Sequence, residues 1–182
     1  HYFQKTGVST PIIDEQILHD LAKKYGTPYF VIDEAILRSK LTELKDGFKD
    51  FSNMVRIAYS MKANFNPAVI KTFVSENTLF DVTSIGELFF YLRCGGATEN
   101  VIYTSVTETE EEFCEVLEKG VELIVVGSFN GLLNLVDAAS KKEIMPKVMI
   151  RVNPEVSVKA EVRASYRYSK FGVPFNGPTS DS

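Results

Sequence analysis

Along this chain, short apolar runs of β-forming residues alternate with stretches whose apolar positions recur at helical spacing. Residues 29–32 (Tyr-Phe-Val-Ile) are the first run. Asp33 follows, a residue whose carboxylate accepts the free N–H groups of a first helical turn. Ile36, Leu37, Leu41, Leu44 and Phe48 then recur at intervals that put them on one helix face. Residues 55–59 form the next predicted strand. Asn66-Pro67 opens a helix, because proline has no N–H to leave unpaired in the first turn, and Val69, Ile70, Phe73 and Val74 form its buried stripe. Residues 79–82 are a third strand, and Ser84 with Glu87 has the spacing of a capping box. Residues 101–103 are a fourth strand, Thr107 and Glu110 a second capping box, and Gly120 a helix stop. Residues 121–126 are a fifth strand, with Ser128 capping a helix that carries Leu132, Leu133, Leu135 and Val136. Residues 147–152 are the sixth.

From residue 55 the strands recur at intervals of roughly 20 to 25 residues, the rhythm of βα units. Successive βα units imply parallel strands joined by helical crossovers. An open nucleotide-binding sheet carries a glycine-rich turn after its first strand, and neither G-x-G-x-x-G nor G-x-x-x-x-G-K-[ST] occurs here. The expected fold is therefore α/β, a (β/α)8 TIM barrel. Such a barrel takes about 250 residues, so five barrel units and a preceding strand make an incomplete one. No low-complexity linker divides the chain. Residues 1–24 are expected to be an N-terminal extension, and residues 25–182 the front part of one barrel domain.

Composition narrows the chemistry. The chain has 182 residues, 45% hydrophobic and 24% charged, an ordinary balance for one sizeable core. A net charge of -4 is the opposite of a nucleic-acid footprint, and no apolar run is long enough for a membrane span. With no secretory signal in view, a cytoplasmic setting is expected. Cys94 and Cys114 lack a C-x-x-C spacing, so neither a disulfide framework nor a zinc site is expected. Only His1 and His19 are present. A Ser-His-Asp triad or a His-rich metal site cannot be built from the periodic part of the chain. Chemistry here must rest on Lys, Arg, carboxylates or an added cofactor. The chain lacks an initiator Met, and residues 175–182 read as loop, so its ends are expected to be incomplete.

Barrel active sites lie at the C-terminal ends of the strands. Lys62 stands there, after the second predicted strand. A partly desolvated lysine favours its neutral amine, which can condense with an aldehyde cofactor; the plain alternative is a solvated lysine. Asp81 either tunes such a lysine or starts a loop. Glu87 reads first as the fourth residue of a capping box. Arg151 is placed to bind an anion or sit near a cofactor ring, or else to join a structural ion pair.

Five blocks in order resemble the fold-type III pyridoxal-phosphate (PLP) decarboxylases, the diaminopimelate and ornithine decarboxylase superfamily. Tyr25-Gly26-Thr27-Pro28-Tyr29-Phe30-Val31 resembles the family's entry strand. Ala58-Tyr59-Ser60-Met61-Lys62-Ala63-Asn64 is similar to the Y-A-x-K-A/C-N segment bearing the Schiff-base lysine, and Phe80 to Leu88 to the F-D-x-x-S-x-G-E segment. Arg151-Val152-Asn153-Pro154 and Ser169-Lys170-Phe171-Gly172-Val173 resemble two further blocks. The resemblance implies an alanine racemase-like barrel with PLP as cofactor and Lys62 as the catalytic, cofactor-bearing lysine. Asp81, Glu87 and Arg151 become its neighbours in a cofactor-binding set, with Lys170 a weaker candidate and no metal. The substrate amine would displace Lys62 from the cofactor, and CO2 would then leave.

Departures bear on the substrate. Ser60 replaces a commoner small apolar residue, and residues 161–168 lack the His-containing pattern usual in diaminopimelate decarboxylases. The resemblance puts diaminopimelate first, as in lysine biosynthesis, and these departures bring in ornithine, lysine, arginine or carboxynorspermidine as polyamine-pathway alternatives. The residues after Arg151 do not match the pattern of alanine racemases. A non-catalytic PLP-binding or regulatory relative is the reading of another class. The resemblance also implies later parts, among them a phosphate site and a C-terminal β domain that completes a head-to-tail homodimer. This segment alone is then expected to be inactive.

Overall fold

The computed structural model describes residues 13–155 and 171–175. The expectations attached to His1, to residues 161–168, to Ser169 and Lys170, and to residues 176–182 lie outside them. Helices α1 (Glu15–Tyr25) and α2 (Glu34–Gly47) come first. Each starts as its sequence dictates: Asp14 accepts from the N–H of Gln16, and Asp33 from those of Ala35 and Ile36.

Five strands then form one sheet in chain order, every neighbouring pair parallel: β1 (Ala58–Ser60), β2 (Leu79–Val82), β3 (Val101–Thr104), β4 (Leu123–Val126) and β5 (Lys147–Ile150). Helices α3 (Pro67–Ser75), α4 (Ile85–Arg93), α5 (Glu110–Glu118) and α6 (Phe129–Lys142) connect them. A doubly wound sheet reverses its growth at a switch point. This sheet adds each strand on the same side, as a barrel wall does. Two short strands, β6 (Val152–Asn153) and β7 (Val173–Pro174), make a second parallel pair.

Strand periodicity separates packing from chemistry. Phe80, Val82, Val101, Tyr103, Ile124 and Val126 are buried in one cluster with apolar residues of α3, α4, α5 and α6. Burying side chains of this size contributes about 1.5–3 kcal/mol each. The intervening positions, Leu79, Asp81, Ile102 and Thr104, lie on the opposite, inner face and are only half-buried.

Some expectations differ from the structure. Residues 29–32 form no strand; among the described residues they have no ladder partner, and Phe30 is fully exposed. β-forming residues make a strand only where a neighbour pairs with them. The run at 147–152 is split at Arg151 into β5 and β6. The second capping box is not built from Thr107 and Glu110. Thr109 is the cap, accepting from the N–H of Glu112 at 3.3 Å, because Glu108 turns the chain with a φ of 53°.

Glu112 instead sends its carboxylate back to the sheet. Oε1 accepts from the hydroxyl of fully buried Tyr103 at 2.6 Å, and Oε2 from Ser105 Oγ at 2.6 Å and from Thr107 Oγ1. Burial, and then the bond to Glu112, pushes the Tyr103 phenol far above the usual tyrosine range, so it stays a donor at neutral pH. Glu112→Ala orphans these hydroxyls and is expected to lower stability by about 1–3 kcal/mol. Urea unfolding would read this as a lower midpoint at constant slope; an unchanged midpoint would show that water replaces the carboxylate at no cost.

Candidate active site

The C-terminal ends of β1 to β5 form one rim. β1 ends at Ser60, and the chain tightens into a 3-10 turn, Met61–Ala63. Met61 is fully buried and anchors this turn in the core, whereas Lys62 beside it is exposed. Lys62 makes no hydrogen bond or ion pair with any described residue. Asn66 then accepts from the N–H of Ala68 at 2.9 Å and starts α3, as its place before Pro67 predicts.

Asp81 lies on β2 in register with Ser60. Ser60 Oγ donates to Asp81 Oδ2 at 3.0 Å, and Thr104 Oγ1, from β3, donates to Oδ1 at 2.7 Å. Each carboxylate oxygen is thus held by a hydroxyl from a different neighbouring strand.

Arg151 sits at the end of β5. Its N–H donates to the carbonyl of Val126 at 2.8 Å, and its own carbonyl accepts from the N–H of Val173 at 2.8 Å. The guanidinium carbon lies 4.5 Å from the centre of the Phe171 ring. Arg151, Phe171, Thr104, Glu108 and Ser128 help to line a cleft of about 360 Å³. No described carboxylate pairs with Arg151. Thr104 therefore touches both halves of the site, since it bonds Asp81 and lines the cleft that holds Arg151.

Glu87 is engaged elsewhere. Its Oε2 accepts from the N–H of Thr83 at 2.7 Å and from Thr83 Oγ1 at 3.1 Å, while its own N–H donates to Ser84 Oγ at 3.2 Å. Ser84 thus caps the helix as the spacing predicts, but the Glu87 carboxylate reaches Thr83, one residue before the cap, so only one half of the capping box forms; the contact fixes the turn directly after Asp81. Glu87 lines a separate cavity of about 490 Å³ with Met61, Phe65 and Phe89.

Four residues escaped the sequence reading as site members. Ser60 was visible as a departure from a motif, but its bond to Asp81 depends on strand register. Thr104 shared the same signal, a hydroxyl at a strand end. Phe171 lies far along the chain from Arg151, and no local spacing joins them. Glu108 had no signal at all. Its carboxylate accepts from the N–H of Gly127 and from Ser128 Oγ, and its carbonyl from Asn134 Nδ2 at 2.7 Å, latching two strand-end loops together.

An amine and a guanidinium that pair with no carboxylate among the described residues, and a carboxylate fixed by two hydroxyls, lie on one rim of parallel strands, an arrangement suited to a carbonyl-bearing, anionic cofactor. PLP has those features, an aldehyde and a phosphate on an aromatic ring, and the residues present fit it. The family model described as the pyridoxal binding domain of pyridoxal-dependent decarboxylases matches residues 35–181. The chain belongs to this family, whose cofactor is PLP. It is 32% identical over 165 residues to diaminopimelate decarboxylase of Vibrio cholerae serotype O1, covering 89% of this chain and 39% of that protein. It is 30% identical over 158 residues to diaminopimelate decarboxylase of Aquifex aeolicus, covering 86% of this chain and 37% of that protein. The chain thus spans less than half the length of these curated relatives. The crystal structure of diaminopimelate decarboxylase from M. jannaschii in co-complex with L-lysine superposes with a TM-score of 0.77 at 24% identity, covering 86% of this chain and 38% of that one. That likeness supports the (β/α) barrel fold. No described helix is long and apolar enough to cross a membrane, and no described group of three His, Cys, Asp or Glu side chains could hold a metal ion.

Proposed function

We propose that this chain is the front part of the cofactor-holding barrel of a PLP-dependent decarboxylase that acts on a diamino acid, diaminopimelate before ornithine, lysine or arginine. The observation that carries it is Lys62: an exposed amine without a partner among the described residues, at the end of β1, on the rim that also presents Asp81 and Arg151. In this reading Lys62 holds the aldehyde carbon of the cofactor. Asp81 places a fixed negative charge at the next strand end, and Arg151 meets an anionic oxygen. Glu87 belongs to the cofactor set through the turn it holds after Asp81. When bound, the cofactor supplies an electron sink for the electron pair left by loss of CO2. Residues 25–182 form one domain in this proposal, preceded by an extension. The whole protein works in the cytoplasm as a head-to-tail homodimer on a small amino acid.

The test is CO2 release by the full-length protein, loaded with PLP, from diaminopimelate, ornithine, lysine and arginine. Diaminopimelate is expected to have the highest kcat/KM by about tenfold or more, since a site built to bond its distal carboxylate rejects analogues that lack one. A preference for ornithine would move the protein to polyamine chemistry. Release from none of them would support the non-catalytic reading. The 182-residue segment alone is expected to release no CO2, and turnover by it would overturn the placement as a part.

A further inference from the structure

Arg151 has a long, flexible side chain, yet the structure fixes it from several directions. Its main chain joins two sheets: the N–H reaches back to Val126 at the end of β4, and the carbonyl receives Val173 at the start of β7. Gly172 makes that approach possible. It has a φ of 82°, and a Cβ there would lie 2.9 Å from the Arg151 carbonyl oxygen and 3.0 Å from the Asn153 nitrogen, both backbone atoms that cannot give way. The residue just before this contact is Phe171. The backbone approach therefore delivers an aromatic ring to the guanidinium, at 4.5 Å. A guanidinium over a ring is attracted by its negative face, and among the described residues no carboxylate competes for it. Both side chains line the strand-end cleft with Thr104 and Ser128.

We propose that Phe171 is a positioning residue. Its ring is the platform that keeps the Arg151 guanidinium plane in the cleft, ready for an anionic oxygen of the cofactor or of the substrate. The inference rests on the reading of Arg151 given above, and it adds the element that makes this arginine effective. An aromatic platform serves this purpose better than a carboxylate would. It restricts the guanidinium without neutralising it, so the positive charge stays available to the ligand.

Two measurements separate the ligand sources: the Kd of PLP for the apo form of the full-length protein, read from its absorbance, and the substrate KM at saturating PLP. Arg151→Ala identifies the arm in which the arginine acts. If it changes neither, the reading of Arg151 fails, whatever Phe171 does. In the affected arm, Phe171→Leu is expected to weaken binding by roughly 3- to 10-fold, the range of a cation–π contact, while Phe171→Tyr keeps most of the affinity. Phe171→Leu in the Arg151→Ala background is expected to add nothing. A further loss of the same size there would mark Phe171 as merely structural and overturn the proposal, as would an unchanged Phe171→Leu beside a weakened Arg151→Ala. Should Phe171→Leu fail to fold, fluorinated phenylalanines at position 171 keep the ring's shape and deplete its negative face. Affinity is then expected to fall with successive fluorination, and a flat series overturns the proposal.

Discussion

Lys62→Ala in the full-length protein is expected to abolish covalent capture of PLP and to lower CO2 release by roughly a thousandfold or more, the scale seen when an enzyme loses the group that forms its covalent link. The expectation is sharp because structural and chemical roles are divided between neighbours. Met61 is fully buried and carries the packing of the 3-10 turn. Lys62 is exposed and has no described partner to leave unpaired. Stability should therefore change by no more than about 0.5 kcal/mol, as for other surface substitutions. Borohydride reduction of the protein with PLP, followed by mass spectrometry, checks the claim. The wild type should carry the label on the peptide containing Lys62, and the variant should carry none. A label on another lysine, or unaltered activity in the variant, would remove Lys62 from its proposed role.

Phe80→Ala should be the reverse case, a large loss of stability by a residue that never meets the ligand. Phe80 is fully buried in the middle of β2. Its ring centre lies 4.6 Å from that of Tyr91 and 5.8 Å from that of Tyr59, so truncation opens a cavity walled by large aromatic groups that cannot collapse to fill it. The expected cost is about 3–5 kcal/mol, a large fraction of the stability of an ordinary domain. Urea unfolding followed by circular dichroism measures it. A loss below about 1 kcal/mol would mean that the helices close over the gap and that the core is more plastic than its packing implies. The contrast with Asp81, the next residue, is a consequence of strand geometry, in which adjacent side chains go to opposite faces.

Much of this architecture is legible in local spacing alone. Helix starts were the clearest, because Asp33, Asn66, Ser84 and Ser128 each bond the backbone N–H that their local spacing predicts. The parallel order followed from the regular return of strands with helical stretches between them. What failed depended on distant neighbours. Residues 29–32 have the composition of a strand but no described strand beside them. Thr107 has the spacing of a cap, yet its hydroxyl goes to Glu112 while Glu108 carries the chain through a left-handed turn.

The candidate site divides in the same way. Lys62, Asp81 and Arg151 were legible because they are charged residues at or near the C-terminal ends of apolar runs, and barrel chemistry collects there. The structure places all three at strand ends, and it bonds none of them to another directly. The connections run through Ser60, Thr104 and Phe171, whose roles are set by register and by a contact between segments far apart in the chain. Glu87 was legible twice over, as a cap and as part of a motif, and the geometry accounts for half of the first.

The two hydroxyls that grip Asp81 carry a further consequence. Its carboxylate is aimed by the alignment of three strands and not by a free choice of rotamer, so, in the function proposed above, a positive group arriving at the rim would find the charge already oriented. Little rearrangement of the protein would be needed as a reaction proceeds, and this absence of rearrangement is a main reason why fixed charges in enzymes outperform the mobile dipoles of water.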